Sequence, residues 1–323
     1  MVPILFLPLY SDHKQKADLK EEVRLLQIKL LEQLQSTRNL PYLIRENDML
    51  SSILRQHQLG IASVQSILAP NVSMLEQETH PLHSPVYLKA SWEDRKTTIQ
   101  AMREKKLHAA HKYITECCQF VVSAKPNQRD ERYETANGDI CCAMFQTVQF
   151  SGVTSLKQVY DAVIFGFNNV EISISERLGH ITVRDDFDCG NNGNYNARIA
   201  STNHIGVSTE VNSIMYTQLV EAQPNGSSYG IVAIDSVDVD ELYPYTPSVH
   251  VRKDVCAVVL VTTEPLQCGS NRRVATLRRA AYVKLHHPEF YLSESAWHDL
   301  QYDVTRWGDV MLRSVSSVLY SEP

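Results

Sequence analysis

Six β-type segments follow one another between residues 180 and 287, and this succession constrains the fold more than any other feature of the sequence. No helical period separates any two of them, and the turn-forming sequences GNNGN, PNGSS and CGSN lie between several. Parallel strands need a long crossover, usually a helix, whereas antiparallel strands are joined by short turns. The sequence therefore predicts an antiparallel sheet built from HITVRDDFD, RIASTNHIGVS, TEVNSIMYTQLVEAQ, YGIVAIDSVD, SVHVRKDVCAVVLVTTE and RRVATLRRAAYVKLH.

Helical segments precede and follow this succession. Before it, GDICCAMFQTVQF predicts one more strand, and residues 155–178 carry apolar side chains at helical spacing. After it, Ser293 is a suitable N-cap for a long amphipathic helix. The apolar side of that helix recurs every three or four residues, at Trp297, Leu300, Val304, Trp307, Met311, Val315 and Val318.

The order β, α, six β and long α predicts an α+β fold of the helix-grip type, in which a curved antiparallel sheet surrounds a long C-terminal helix. Such a sheet encloses a cavity where the facing side chains are small, and cavities of this kind hold apolar ligands. We predict Arg184, paired with Asp235 or Glu210, as the polar anchor of a ligand; the alternative is that Arg184 faces solvent. The full set of predicted cavity residues is Arg184, Glu210, Met215, Tyr216, Val232, Ile234, Asp235, Val258, Trp307 and Met311.

An N-terminal helical arm precedes this body. Leu19, Val23, Leu26 and Leu30 form a heptad seam within residues 1–68, which predicts either a homodimeric coiled coil or a helical hairpin docked on the body. Three prolines and no period make 69–90 a linker, so the body spans 91–323. It should begin with a helix from Ser91 to Cys118, followed by a polar loop at 124–137.

Charge and motifs exclude several functions. Residues 131–323 carry 14 Lys and Arg against 23 Asp and Glu, an acidic balance that argues against binding nucleic acid through phosphates. H-E-x-x-H, G-x-S-x-G and a phosphate-binding glycine loop are all absent from the sequence, so we predict no enzyme activity, no catalytic residues and no cofactor. A calcium loop starting at Asp188 would need Glu where Ile199 stands, so we predict no metal.

Seven cysteines without a C-x-x-C spacing predict free thiols in a reducing compartment, which is the cytoplasm or alternatively the nucleus. The apolar start MVPILFLPLY lacks the basic residues of a secretory signal. No apolar run reaches the length of about 18 residues needed to span a bilayer, so we predict no transmembrane segment.

A resemblance covers residues from about 20 to 318. The segments that carry it are RENDMLSSILRQHQLGIASVQSILA, WEDRKTTIQAMREKKL, ERYETANGDICC, QVYDAVIFGFNNVEISISERLGHITVRDDFD, IVAIDSVDVDELYPY and VTRWGDVMLR. Together they resemble the oomycete mating-specific protein family, whose members have a START-like body often preceded by a basic-leucine-zipper-like segment. Within that N-terminal segment, this chain is similar only in the zipper-like part. The basic part is not matched, because Lys14, Lys16 and Lys20 alternate with acidic residues. The resemblance thus implies a START-like lipid-binding domain, and we expect no DNA binding by this chain.

The sequence favours a non-catalytic, START-like protein that binds a hydrophobic, lipid-like or sterol-like ligand and self-associates through its arm. Alternatives are a regulatory or scaffold protein whose body is an interaction module, and a transcription-related relative that has lost its basic segment. An enzyme of the cyclase or hydrolase type shares the fold and is the third alternative, because the fold alone does not select the function. Sterols, phospholipids and fatty acids all need only an apolar cavity, so the identity of the ligand stays open.

Overall fold

The structure of the protein is a computed structural model that describes residues 80–119, 127–188, 193–221, 228–265 and 273–320. The strands in these ranges are β1 Tyr87–Leu88, β2 Asn127–Glu134, β3 Ile140–Val153, β4 Ile181–Asp188, β5 Asn194–Thr202, β6 Ser208–Val220, β7 Tyr229–Ser236, β8 Val239–Asp240, β9 Val251–Pro265 and β10 Arg273–Leu285. The helices are α1 Trp92–Gln119, α2 Leu156–Asn168, α3 Val170–Leu178, α4 Glu294–Asp303 and α5 Arg306–Tyr320.

Eight strands form one sheet in the order β2-β3-β10-β9-β7-β6-β5-β4. All neighbours in that order are antiparallel, and the one parallel contact within the sheet joins two residues of β6 to β9. The six predicted segments correspond to β4, β5, β6, β7, β9 and β10. The antiparallel sheet and the helix-grip fold predicted from their succession are confirmed.

Each face of the sheet is covered by helices, because successive side chains of a strand point to opposite faces. On one face, Ile214, Ile231 and Leu260 pack against Ile99 and Ile114 of α1. We call this the α1 face. We call the other face the α5 face, because it packs against α2 and α5. Its residues Met215, Val232, Val259 and Leu277 pack with Val159 and Val163 of α2 and with Met311 and Val315 of α5.

The polar segment predicted as a loop at 124–137 contains a strand instead, β2. It lies at the end of the strand order and pairs with β3 from Asn127 to Glu134. Its polar composition suits an edge strand, where polar and charged residues discourage pairing with another chain. The inference from a polar composition to a loop was therefore wrong.

The predicted C-terminal helix is divided into α4 and α5 around Val304 and Thr305. Arg132 of β2 donates through Nη1 to the Gln301 carbonyl oxygen, at 3.4 Å, and through Nη2 to Thr305 Oγ1, at 3.2 Å. In an unbroken helix the amide of residue 305 would donate to that carbonyl. A side chain from a distant strand thus takes over one bond of the helical ladder, which the helix sequence alone does not reveal.

The helix predicted at 155–178 is likewise two helices, α2 and α3, separated at Asn169. This residue leaves the helical conformation, with φ −123° and ψ 24°, and its side-chain amide donates to the Phe165 carbonyl oxygen at 2.9 Å. Ser155 caps α2, and Gly179 ends α3 in the left-handed conformation.

The end of the predicted linker is packed into the body. Leu82, Val86 and Leu88 are buried, and β1 pairs in parallel with β8. The arm at 1–68, with Leu19, Val23, Leu26 and Leu30, lies outside the described residues. Self-association through this seam and the boundary of the arm stay predictions.

The helices and the cysteines of the described residues bear on two further predictions. None of their helices is both long enough and apolar enough to cross a bilayer. Their five cysteines, Cys117, Cys118, Cys141, Cys142 and Cys256, are free thiols.

Candidate ligand-binding cavity

A cavity of about 150 Å³ lies between the α5 face of the sheet and helix α5. Small side chains leave this space open: Ala197, Ala257 and Ala281 occupy inward positions on three strands, and Gly308 approaches from α5. The remaining wall is mainly apolar and includes Ile199, Val211, Met215, Ile234, Val255, Val259, Val283, Val304, Trp307 and Met311. The arrangement can therefore accept an apolar molecule within the fold.

Six of the ten predicted residues border this cavity: Arg184, Met215, Ile234, Val258, Trp307 and Met311. Among them, Val258 also packs in the core under α1. Val232 lies on the α5 face but belongs to the packed core under α2 and α5, away from the cavity lining.

The other three predicted residues, Glu210, Tyr216 and Asp235, do not line the cavity. Their neighbours on the same strands, Val211, Met215 and Ile234, do line it, so strand alternation directs these three toward the α1 side. Tyr216 donates its hydroxyl to the Ile99 carbonyl oxygen of α1 at 2.7 Å. The prediction had combined residues from both faces of the sheet.

Arg184 is buried at the cavity wall, but its partners differ from those predicted. Its Nε lies 2.6 Å from Asp186 Oδ1, and its Nη1 lies 2.7 Å from the Phe167 carbonyl oxygen and 3.4 Å from Glu171 Oε2. Arg184 stands on β4 at the edge of the sheet, beside α3, so Asp235 and Glu210 are not its partners. Two carboxylates, of Asp186 and Glu171, already neutralise this guanidinium. Arg184 therefore forms part of the cavity wall and has no unpaired charge with which to hold a ligand.

Lys253 is one of the cavity residues that the sequence did not lead us to predict. It is 4% exposed, and its ammonium lies 4.2 Å from the centre of the Trp307 ring. Among the described residues, this ammonium makes no ion pair and no hydrogen bond. Burial lowers the pKa of Lys253 to about 8. The signal for its position was strand alternation, since Lys253 shares its face of β9 with Val255 and Val259.

Arg279 is a third buried cation in the wall. Its Nη2 donates to Asp309 Oδ1 at 2.7 Å, whereas its Nε is buried without a hydrogen-bond partner. The guanidinium lies against Gly308, and a Cβ at that position would overlap Nη1. A glycine on α5 thus gives Arg279 the space to reach Asp309.

We expect Gly308→Ala to lower the free energy of unfolding by about 1–3 kcal/mol, because the methyl group overpacks against a buried guanidinium. The matched control is Gly166→Ala on α2, where a Cβ would meet Val315 at an ordinary 3.5 Å. That variant should gain up to about 1 kcal/mol from helix propensity alone. Urea denaturation of both variants measures the difference, and equal effects at the two glycines would contradict this account of Arg279.

A second polar cluster lies outside the cavity, where the segment before β1 meets the sheet. His83 Nδ1 is 2.7 Å from Asp235 Oδ1, and its Nε2 is 3.3 Å from Asp238 Oδ1. Cys256 Sγ lies 3.1 Å from the same Asp235 oxygen, and the Lys106 ammonium contacts the other oxygen. His83, Asp235 and Cys256 have the spacing of metal ligands. However, Lys106 already supplies a cation at Asp235, and the His83–Asp235 distance is that of a hydrogen bond.

The pH dependence of stability should report on this cluster. Hydrogen bonds to Asp238 and Cys256 raise the pKa of His83 to about 9 from 6.5. Protonated His83 therefore stabilises the fold fully below about pH 6.5, and this contribution of about 3 kcal/mol is lost as pH rises through about 9. Urea denaturation from about pH 6 to pH 9.5 should show a steeper loss in the wild type than in His83→Gln. Parallel profiles would contradict the assignment.

Comparisons with known proteins add the following. No family model matches the chain, and no curated protein matches it. Human STARD10 is 12% identical over 65% of this chain and 79% of its own, with a TM-score of 0.36. Norcoclaurine synthase from Thalictrum flavum is 8% identical over 56% and 96%, with a TM-score of 0.28. Ara h 8.0201 is 6% identical over 55% and 98%, with a TM-score of 0.26. The strand order and the helix placement of this chain remain the basis of its fold assignment.

Proposed function

We propose that the protein is a non-catalytic carrier or sensor of a small hydrophobic ligand, bound in the cavity between the sheet and α5. The observation that carries the proposal is the cavity itself, about 150 Å³ with mainly apolar walls. Protein interiors rarely contain voids larger than a water molecule. At about 24 cal/mol per Å³, an empty cavity of this size costs about 4 kcal/mol, and a bound ligand would offset that cost.

The volume limits the size of the ligand. A dry cavity of about 150 Å³ accepts a molecule the size of benzene, whereas drug-sized ligands occupy pockets of about 300–1,000 Å³. Within the hydrophobic class predicted from the sequence, the cavity therefore favours a slender chain or a single ring over a sterol or a phospholipid. The START-like resemblance agrees with an apolar ligand and adds nothing about its size.

The chemistry of the wall supports binding without catalysis. Among the described lining residues there is no carboxylate, imidazole or thiol. General acid–base catalysis needs a group that can accept a proton near neutral pH within reach of the substrate. Arg184 and Arg279 cannot serve in that role, because a guanidinium stays protonated. Lys253, whose pKa burial lowers to about 8, is still mainly protonated at neutral pH, so it is suited to holding an anion rather than to accepting a proton.

Titration calorimetry with 1-octanol, a slender neutral probe, tests the proposal. We expect the wild type to bind it and Ala281→Phe to lose at least about tenfold in affinity, because the ring fills the cavity. Ala257→Leu is a milder filling variant in case the larger one does not fold. The control is Ala101→Phe on the exposed side of α1. Absence of octanol binding by the wild type, or equal binding by all variants, would overturn the proposal.

A further inference from the structure

We infer that the ligand of this cavity is an acid, whose carboxylate is held by Lys253 while its apolar part lies along β9. The inference rests on the proposed binding function and adds the chemical class of the ligand. It starts from two donors at this end of the cavity: the Lys253 ammonium, which makes no hydrogen bond or ion pair with the described residues, and the side-chain amide of Asn203, whose nitrogen is buried without a partner.

Lys253 is the first of these donors. An ammonium has three N–H donors and accepts none, and an isolated charge is costly to bury. Its nearest carboxylate, Asp303, is already engaged, since Asp303 Oδ1 lies 2.8 Å from Arg306 Nη1 and Oδ2 lies 3.7 Å from His180 Nε2. The Trp307 ring offsets part of the cost of burying the charge but accepts no conventional hydrogen bond.

Asn203 supplies an independent second donor. A polar pocket of about 20 Å³ adjoins the cavity, and Lys253, Val304 and Trp307 line both. Asn203 lines this pocket, is 7% exposed, and accepts through Oδ1 from the amides of Ile205 and Val207. Its Nδ2 is buried without a partner. The pocket volume is that of about one water molecule or one ligand oxygen. Asp303 also lines this pocket, but its carboxylate is already engaged by Arg306 and His180. The two donors that remain, on Lys253 and Asn203, favour a group that only accepts, as an ionised carboxylate does.

The shape of the cavity sets the direction of the ligand. Its wall follows the inward positions of β9 from Lys253 through Val255 and Ala257 to Val259. That stretch of strand is about 20 Å long at about 3.3 Å per residue. The charge at the far end, on Arg279, is paired with Asp309. A slender molecule would therefore place its acid at Lys253 and its apolar tail toward Met311.

Binding of octanoic acid and 1-octanol, measured by titration calorimetry on the full chain, tests the inference. The two probes share a chain length and differ in the head group. We expect the wild type to bind octanoate at least about tenfold more tightly than octanol, since a charged hydrogen bond contributes about 1.5–3 kcal/mol. Lys253→Met should lose this preference while its affinity for octanol stays the same. Lys157→Met, at an exposed lysine on α2, is the control and should bind as the wild type does.

The outcomes separate the inference from the proposed function. If octanol binds in the cavity but octanoate binds no more tightly, the inference fails and apolar binding stands. If Lys253→Met keeps the preference for octanoate, Lys253 does not hold the acid and the inference also fails. If the wild type binds no octanol, the proposed function is overturned, and the inference that rests on it fails as well.

Discussion

Replacing Arg95 with methionine is expected to lower the free energy of unfolding by about 3–5 kcal/mol, the usual cost of removing one partner of a buried ion pair. Arg95 stands on α1, is 1% exposed, and binds Asp240 through two parallel contacts, Nη1–Oδ1 at 2.6 Å and Nη2–Oδ2 at 3.0 Å. Its Nη2 also lies 3.0 Å from Asn196 Oδ1. The contacts of Arg95 thus link α1 to β8 and to β5.

The size of the effect comes from the carboxylate that remains. Burial alone would raise the pKa of Asp240, but hydrogen bonds from Arg95, the Tyr243 amide and Asn212 hold it below its ordinary value. Without Arg95 the buried carboxylate of Asp240 keeps only neutral hydrogen-bond donors. The fold then loses stability in either case, because the carboxylate must stay charged without a cation or take up a proton. In the wild type, Asp240 contributes to the free energy of unfolding at pH values above its pKa in the unfolded chain, about 3.8. This contribution is lost as pH falls through its lower pKa in the folded protein.

Three aromatic rings enclose the same guanidinium, at 5.5 Å for Trp92 and 5.7 Å for both Phe187 and Tyr243. Their contacts should also be weakened in the methionine variant, because the cation–π attraction disappears. Lys96→Met, at the exposed neighbouring position on α1, is the matched control and should stay within about 0.5 kcal/mol of the wild type. Urea denaturation measures both. A loss below about 1 kcal/mol for Arg95→Met would contradict the role assigned to this pair.

Arg95 also shows what the sequence can and cannot predict. The helix that carries it was predicted at residues 91–118, and local features favour it: Ser91 is a suitable N-cap, and Glu93 and Asp94 suit the first turn. Its partner is 145 residues away in the chain. Local patterns determine which elements form, whereas the pairing of buried charges depends on how distant elements pack.

The cavity follows the same division. Alternation along β9 and β10 predicts which side chains share a face, and this rule is sufficient to place Lys253 with Val255. It does not say which face meets α5, so Tyr216 and Asp235 were assigned to the wrong side. At the break in the C-terminal helix, Thr305 likewise contacts a distant residue, Arg132. The periodicity of hydrophobic residues predicts the helices and strands, but tertiary packing determines which side of the sheet holds a cavity.

Lys253→Met is expected to raise the free energy of unfolding by about 2 kcal/mol at neutral pH in the absence of ligand. Burial lowers the pKa of Lys253 from 10.5 to about 8, a shift that corresponds to about 3 kcal/mol. The lost contact with Trp307 removes about 1 kcal/mol of that gain. Methionine has a similar length and leaves no charge in the cavity wall.

The sign of the pH dependence distinguishes this explanation from a simple packing effect. Below about pH 8 Lys253 is charged in both the folded and the unfolded chain, so the folded wild type is destabilised by the full cost of burying that charge. Between about pH 8 and 10.5 the unfolded chain binds the extra proton, and the wild type regains stability as pH rises. The advantage of the variant should therefore shrink over that range. Urea denaturation at several pH values measures it, with Lys157→Met as the exposed control.

This prediction bears directly on why the lysine is present. A residue that destabilises the free protein persists more readily when a ligand that binds only the folded state offsets its cost. Octanoate should therefore stabilise the wild type more than Lys253→Met, by about 1.4 kcal/mol for a tenfold preference, which narrows the difference in stability between them. If the variant proved less stable than the wild type without ligand, Lys253 would be a packing residue whose charge the fold already accommodates.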